Sequence, residues 1–194
     1  MKNLELKNIK FIKALEGFKV RLSIQGASKD QQYIKPNYVI EFLHFMEQVG
    51  KKSLKSINQK LVNKYFEYLR TRPSQTKDGC LSEGSINKHR ESLLRFIEFV
   101  NDMEKGQSGI RIKHYKPNKK LKQILLESDV KAMFDSCDYT SVGIRDKAIF
   151  SLLYGCGLRR GELLSLDVQD IDLNKGRVHL DKTKTKYARD VPMT

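Results

Sequence analysis

Apolar residues recur at helical spacing through the first hundred positions. From Tyr33 to Met46 they fall at Val39, Phe42, Leu43 and Met46, offsets of 0, 3, 4 and 7 that mark one face of a helix. Ser28 followed by Gln31 has the form of a capping box ahead of it. A second helix is predicted with Leu61, Val62, Tyr65, Tyr68 and Leu69 inward, ending before Pro73. A polar stretch from Arg72 to Gly84 reads as a loop. A third helix then carries Ile86, Leu93, Leu94, Ile97 and Val100, with Ser85 or Ser82 as its cap. A weaker pattern from Phe11 to Ser23 adds an earlier helix. The pattern predicts four or five short helices packed as one small bundle.

Periodicity fades from Lys105 to Lys122, where Gly106, Gly109, Pro117 and six cations after Gly109 describe a solvated connector. A second domain opens near Leu125, with Ser128 as the expected N-cap of a helix over 129–136. Arg145 to Tyr154 is almost continuously apolar (Ala148, Ile149, Phe150, Leu152, Leu153), which periodicity alone assigns to a buried helix or a buried strand. Its length and Leu/Ala content favour helix. Gly155 and Gly157 interrupt it, a short helix restarts over 161–166, and Asn174-Lys175-Gly176 forms a turn. Val178 and Leu180 alternate with polar neighbours, Lys182 to Tyr187 are polar, and Val191 is apolar again. That is the pattern of a β-hairpin with a lysine-rich tip.

Charge narrows the partner. The 194 residues hold 37 Lys and Arg against 23 Asp and Glu, a net charge of +14. Through Tyr115 there are 22 basic and 12 acidic residues, and 15 and 11 after it. The excess is spread over folded-looking sequence rather than gathered in a tail, which suits a protein that wraps a polyanion. Cys80, Cys137 and Cys156 are far apart, and the four histidines are scattered. That spacing gives neither a disulfide framework nor a metal site. No apolar run reaches the length of a membrane span, and Met1 to Lys10 lacks the apolar centre of a secretion signal. Cytoplasmic localisation is expected, with no membrane partner, metal or small-molecule cofactor.

One stretch carries the chemistry. Leu153-Tyr154-Gly155-Cys156-Gly157-Leu158-Arg159-Arg160-Gly161-Glu162-Leu163 resembles the first signature of the tyrosine recombinases, the phage-type integrase family. The likeness continues through Leu166, Asp170-Ile171-Asp172, the tip Thr183-Lys184-Thr185-Lys186, Arg189 and Val191-Pro192. In the first half, Tyr33, Phe42 and Ser85-Ile86-Asn87-Lys88 leading to Leu93, Leu94 and Phe96 are similar to the family's core-binding domain. The resemblance implies a mainly α fold. A SAM-like helical bundle would occupy 1–104 and a basic linker 105–124. Residues 125–194 would be the start of an α+β catalytic domain with a small antiparallel sheet.

The resemblance also implies roles. Attack on phosphorus builds negative charge on the nonbridging oxygens, and a planar guanidinium can clamp two of them at once. Arg159 takes that part, as the first of two family arginines, with Glu162 bracing its turn. The leaving 5′ oxygen needs a proton, and Lys184 is the expected general acid, Lys182 and Lys186 being alternatives in register. The family's site further needs a His-x-x-Arg helix and a tyrosine nucleophile. Neither occurs in suitable sequence after the hairpin, where Tyr187 stands too close to the tip and His179-Leu180-Asp181-Lys182 lacks the arginine. The chain is therefore expected to be a fragment that binds double-stranded DNA without cutting it. The full enzyme would work as a tetramer on two duplexes. For DNA contact the resemblance points to the third helix, with Lys88 and Arg95 first and Asn87 beside them, then Lys29 and Lys35. Two other classes remain: a non-catalytic DNA-binding regulator descended from an integrase, and a basic RNA-binding protein.

Overall fold

The computed structural model describes residues 4–74, 78–106, 109–116, 124–181 and 187–193. The chain is mostly helical, with one three-stranded antiparallel sheet. It divides into two units, Met1–Lys120 and Leu121–Thr194.

The first unit is a bundle of four helices, α1 (Ile9–Ile24), α2 (Lys29–Gln48), α3 (Gln59–Thr71) and α4 (Glu83–Glu104). Each begins at a side-chain cap that satisfies a backbone N–H the first turn cannot pair. Asn8 accepts from Lys10, Ser28 from Gln31, Asn58 from Leu61, and Ser82, rather than Ser85, from Ser85 N. The apolar stripes meet in one core. Phe11, Phe18, Phe42, Leu43, Tyr65, Leu69, Leu93 and Phe96 are all buried, and Phe18 meets Phe96 edge-to-face at 5.5 Å. Tyr68 and Leu94, predicted inward, are only partly covered, whereas Phe66 and Phe99 are buried. Inside this core lies an ionic cluster. Arg72 Nη2 donates to Glu41 Oε2 at 3.0 Å, and the Tyr65 hydroxyl meets His89 Nδ1 at 3.1 Å. Burial, with the Arg72 charge nearby, pushes the His89 imidazole down to about 3, so this histidine is neutral at physiological pH.

The solvated connector is corrected in part. Residues 109–116 dock on α3 and α4, with Ile112 in the core and the Tyr115 ring stacked on Phe66 at 6.5 Å. Their backbone is paired by side chains. Gln59 accepts from Arg111 N at 2.9 Å and donates to Arg111 O at 2.8 Å. Asn87 does the same to Tyr115, at 3.0 and 2.6 Å, and Arg90 Nε donates to Ile112 O at 2.8 Å. A primary amide presents a donor and an acceptor side by side, so it imitates a neighbouring strand. Composition could not disclose that.

In the second unit α5 (Glu127–Asp135) starts two residues earlier than expected. Its N-cap is Leu126, and the Asp129 carboxylate accepts from Leu126 N at 2.8 Å, which puts Ser128 inside the helix rather than at its cap. The apolar stretch from Arg145 is helical: α6 (Ser141–Phe150) runs into a π-turn, Ser151–Gly155. It is not buried among the described residues, where Ile149, Phe150, Leu152 and Leu153 are only half-covered. After α7 (Arg160–Leu163) come β1 (Ile171–Asp172), β2 (Arg177–Leu180) and β3 (Arg189–Pro192), paired in that order. The expected hairpin is β2–β3, with Val178 opposite Val191 and Leu180 opposite Arg189. β1, which no sequence signal predicted as a strand, adds to its other edge. Val178 and Leu180 are buried with Leu158 as the small core beneath the sheet.

Candidate active site

The site grows from a break in the α6 helix. Gly157 takes a left-handed φ of +62°, a conformation that costs glycine little and other residues more. The chain turns there, and buried Leu158 anchors it against Val178 and Leu180. Arg159 follows as the extended N-cap residue of α7. This is the physical content of the Gly-Leu-Arg order: a turn, an anchor, then a cation held at the surface. Three residues on, Glu162 is only 3% exposed. Its Oε2 accepts from Arg159 N at 2.9 Å, the reciprocal half of a capping box. Its Oε1 accepts from Arg159 Nη1 at 2.9 Å.

A second guanidinium reaches the same carboxylate. Arg189 Nη1 and Nη2 donate to Glu162 Oε1 and Oε2, each at 3.0 Å. Sheet register explains how. Directly opposed residues of an antiparallel pair project from the same face, and Arg189 lies opposite Leu180, whose face is buried. Glu162 is therefore gripped by a backbone N–H and two arginines. The Arg159 backbone hydrogen bond, then the Arg189 fork, hold its carboxyl down at about 2. The two arginines keep different freedom. The Arg159 side chain is 57% exposed and that of Arg189 37%. Arg159 is tied to the carboxylate by one side-chain nitrogen, Arg189 by two.

The sequence-predicted residues divide on this geometry. Arg159 and Glu162 are brought together; Arg189, quoted only as part of the hairpin likeness, joins them from 27 residues away, where no local spacing could signal it. Lys184, with Lys182 and Lys186, lies outside the described residues. In the bundle, Lys29, Lys88 and Arg95 are exposed, Arg95 standing 3.9 Å from Glu91. Lys35 and Asn87 are placed otherwise than a free DNA-contacting surface requires. Lys35 is buried and donates to Glu91 at 2.7 Å, tying α2 to α4, and the Asn87 amide is bound at both ends to Tyr115. Position on the polar side of a helix could not tell which groups a neighbouring segment would cover. Among the described residues no group of three His, Cys, Asp or Glu side chains could hold a metal ion, and no helix is long and apolar enough to cross a membrane.

Residues 123–194 match the phage integrase family. The tyrosine recombinase XerD of Oceanobacillus iheyensis is 33% identical over 104 residues, which are 53% of this chain and 35% of that protein. The tyrosine recombinase XerC of Staphylococcus haemolyticus is 27% identical over 139 residues, 70% of this chain and 44% of that one. The chain thus spans less than half the length of these curated relatives. Two solved structures share the fold. One is the Tn1549 transposon integrase in complex with transposon right end DNA, with a TM-score of 0.68 at 15% identity, covering 93% of this chain and 61% of that one. The other is the XerH site-specific recombinase bound to its difH substrate, with a TM-score of 0.62 at 18% identity, covering 98% and 59%.

Proposed function

From this chain's similarity to the tyrosine recombinases, and the match of residues 123–194 to the phage integrase family, we propose that it belongs to a site-specific DNA recombinase. That enzyme breaks and rejoins strands through a 3′-phosphotyrosyl intermediate. The 194 residues supply the DNA-holding bundle and the arginine turn, and the nucleophile lies in sequence beyond them. Alone, they bind duplex DNA without cleaving it.

The observation that carries this reading is the state of Arg159. Its guanidinium sits at a glycine-made turn, held through one nitrogen by a buried carboxylate, on a side chain that is more than half exposed. A permanently charged fork held in that way suits a phosphodiester, because two nonbridging oxygens can be met without reorganising the protein. In the reaction a tyrosine oxygen bonds to phosphorus while the bond to the 5′ oxygen breaks. Arg159 stabilises the charge developing on the nonbridging oxygens, and Lys184 delivers the proton the leaving oxygen needs. Lys29, Lys88 and Arg95 supply phosphate contacts, which fix register on the duplex without specifying sequence. The assembled enzyme is a tetramer on two sites.

The test is a cleavage assay on the protein extended along its reading frame. Arg159→Ala should lower cleavage on the order of 10²–10³-fold or more while leaving DNA affinity within a few fold. An equal loss of both would remove Arg159 from the chemistry. An extended frame without tyrosine and His-x-x-Arg would leave a DNA-binding regulator, and preference for structured RNA over duplex would retire both.

A further inference from the structure

The two arginines on Glu162 are not equivalent. Arg189 meets the carboxylate as a fork, one nitrogen on each oxygen, from a strand of the sheet. Arg159 uses a single side-chain nitrogen on Oε1 and is the more exposed of the two. Among the described residues these are the charged groups set against Glu162, Arg159 from its own turn and Arg189 from β3. A carboxylate only 3% exposed cannot be left bare, since a buried charge without a counter-ion is strongly unfavourable. Were Arg159 its sole partner, each rotation of that guanidinium toward an incoming phosphate would strand the charge. A neutral pair would also attract a phosphate poorly. With Arg189 present the trio carries net +1, and the carboxylate stays paired whichever way Arg159 turns.

We propose that Arg189 is a positioning residue that holds the Glu162 carboxylate while Arg159 moves its guanidinium from Glu162 Oε1 to a DNA phosphate. This rests on the reading of Arg159 as the phosphate-binding group. Arg189 is the fixed partner and Arg159 the exchangeable one. The division follows from geometry: a two-point fork from a strand resists displacement, whereas a one-point contact from a solvent-facing side chain yields to a second anion. β3 thereby acts on the arginine turn through a side chain that need not touch DNA.

The experiment uses the 194-residue chain with isotope-labelled arginine and glutamate, inorganic phosphate as the probe, and NMR detection of the guanidinium Nε–H groups and the Glu162 carboxyl carbon. In the wild type, phosphate should shift Arg159 and leave Arg189 in place. Arg189→Ala should weaken the Arg159 response on the order of tenfold or more and raise the Glu162 titration midpoint by about one unit or more. Arg189→Lys, which keeps the charge but loses the fork, should fall between, and it carries the test if the alanine variant fails to fold. Phosphate that displaces Arg189 as readily as Arg159, or an Arg159 response unchanged in both variants, would overturn the role of Arg189. A wild-type Arg159 indifferent to phosphate, with the Glu162 midpoint still raised by Arg189→Ala, would instead overturn the reading of the site.

Discussion

Glu162 concentrates the site's electrostatics in one side chain. Its folded carboxyl is held at about 2 by the Arg159 backbone hydrogen bond first and the Arg189 fork second. Unfolded, it titrates near the ordinary glutamate value of about 4.3. The sign is that of a depressed acid. Its contribution to stability is complete above the unfolded value and is lost progressively as pH falls from there toward the folded one. Acid titration of the second unit, followed through the Leu158 and Val178 amide signals, should therefore show a loss of protection below about pH 4.3. Glu162→Gln should flatten that part of the curve. A variant with wild-type acid sensitivity would place the destabilising proton elsewhere.

At the scale of elements, the docked segment over 109–116 matters most. It has no repeating strand partner, so its backbone groups are satisfied by Gln59, Asn87 and Arg90. Asn87→Ala removes both bonds to Tyr115 and leaves that residue's N–H and C=O to find water. A cost of about 1–3 kcal/mol is expected, near the penalty for orphaning a covered polar group. Thermal melting measures it, with hydrogen exchange at Tyr115 rising in the variant while exchange at Leu93 and Phe96 keeps its rank. Full protection at Tyr115 without Asn87 would mean that the segment's other contacts, the Tyr115–Phe66 stack among them, suffice to hold it. The same element explains why Asn87 misleads a reader of the sequence. It sits on the polar side of α4, as a DNA contact would, and what covers it arrives from 28 positions later.

For the whole molecule, charge and core are unequally divided. The first unit buries a continuous core across four helices, while the second buries Leu158, Val178 and Leu180 beneath its sheet and leaves Tyr139, Val142, Ile144 and Tyr154 exposed. The net charge of +14 is the term that the proposed DNA binding would draw on without reference to base sequence. If six to ten phosphates are neutralised, affinity for a duplex of arbitrary sequence should fall by about 10³–10⁵ between 50 and 200 mM salt. Fluorescence anisotropy across that range checks it. An affinity indifferent to salt would contradict a phosphate-dominated interface.

The sequence by itself pointed to a bundle of four or five helices with Ser28 as one cap and Ser82 or Ser85 as another, favoured helix after Arg145, and marked the β2–β3 hairpin, while the family resemblance set Glu162 against the Arg159 turn. All of these follow from interactions within about a dozen residues, where periodicity, caps and turn chemistry act. Only the tertiary structure decided that Arg189 grips Glu162, that Lys35 is buried against Glu91, and that residues 109–116 lie docked rather than solvated. Those outcomes depend on which distant backbone or side chain fills a given space. A partner brought in from 27 to 56 positions away leaves no trace in local spacing.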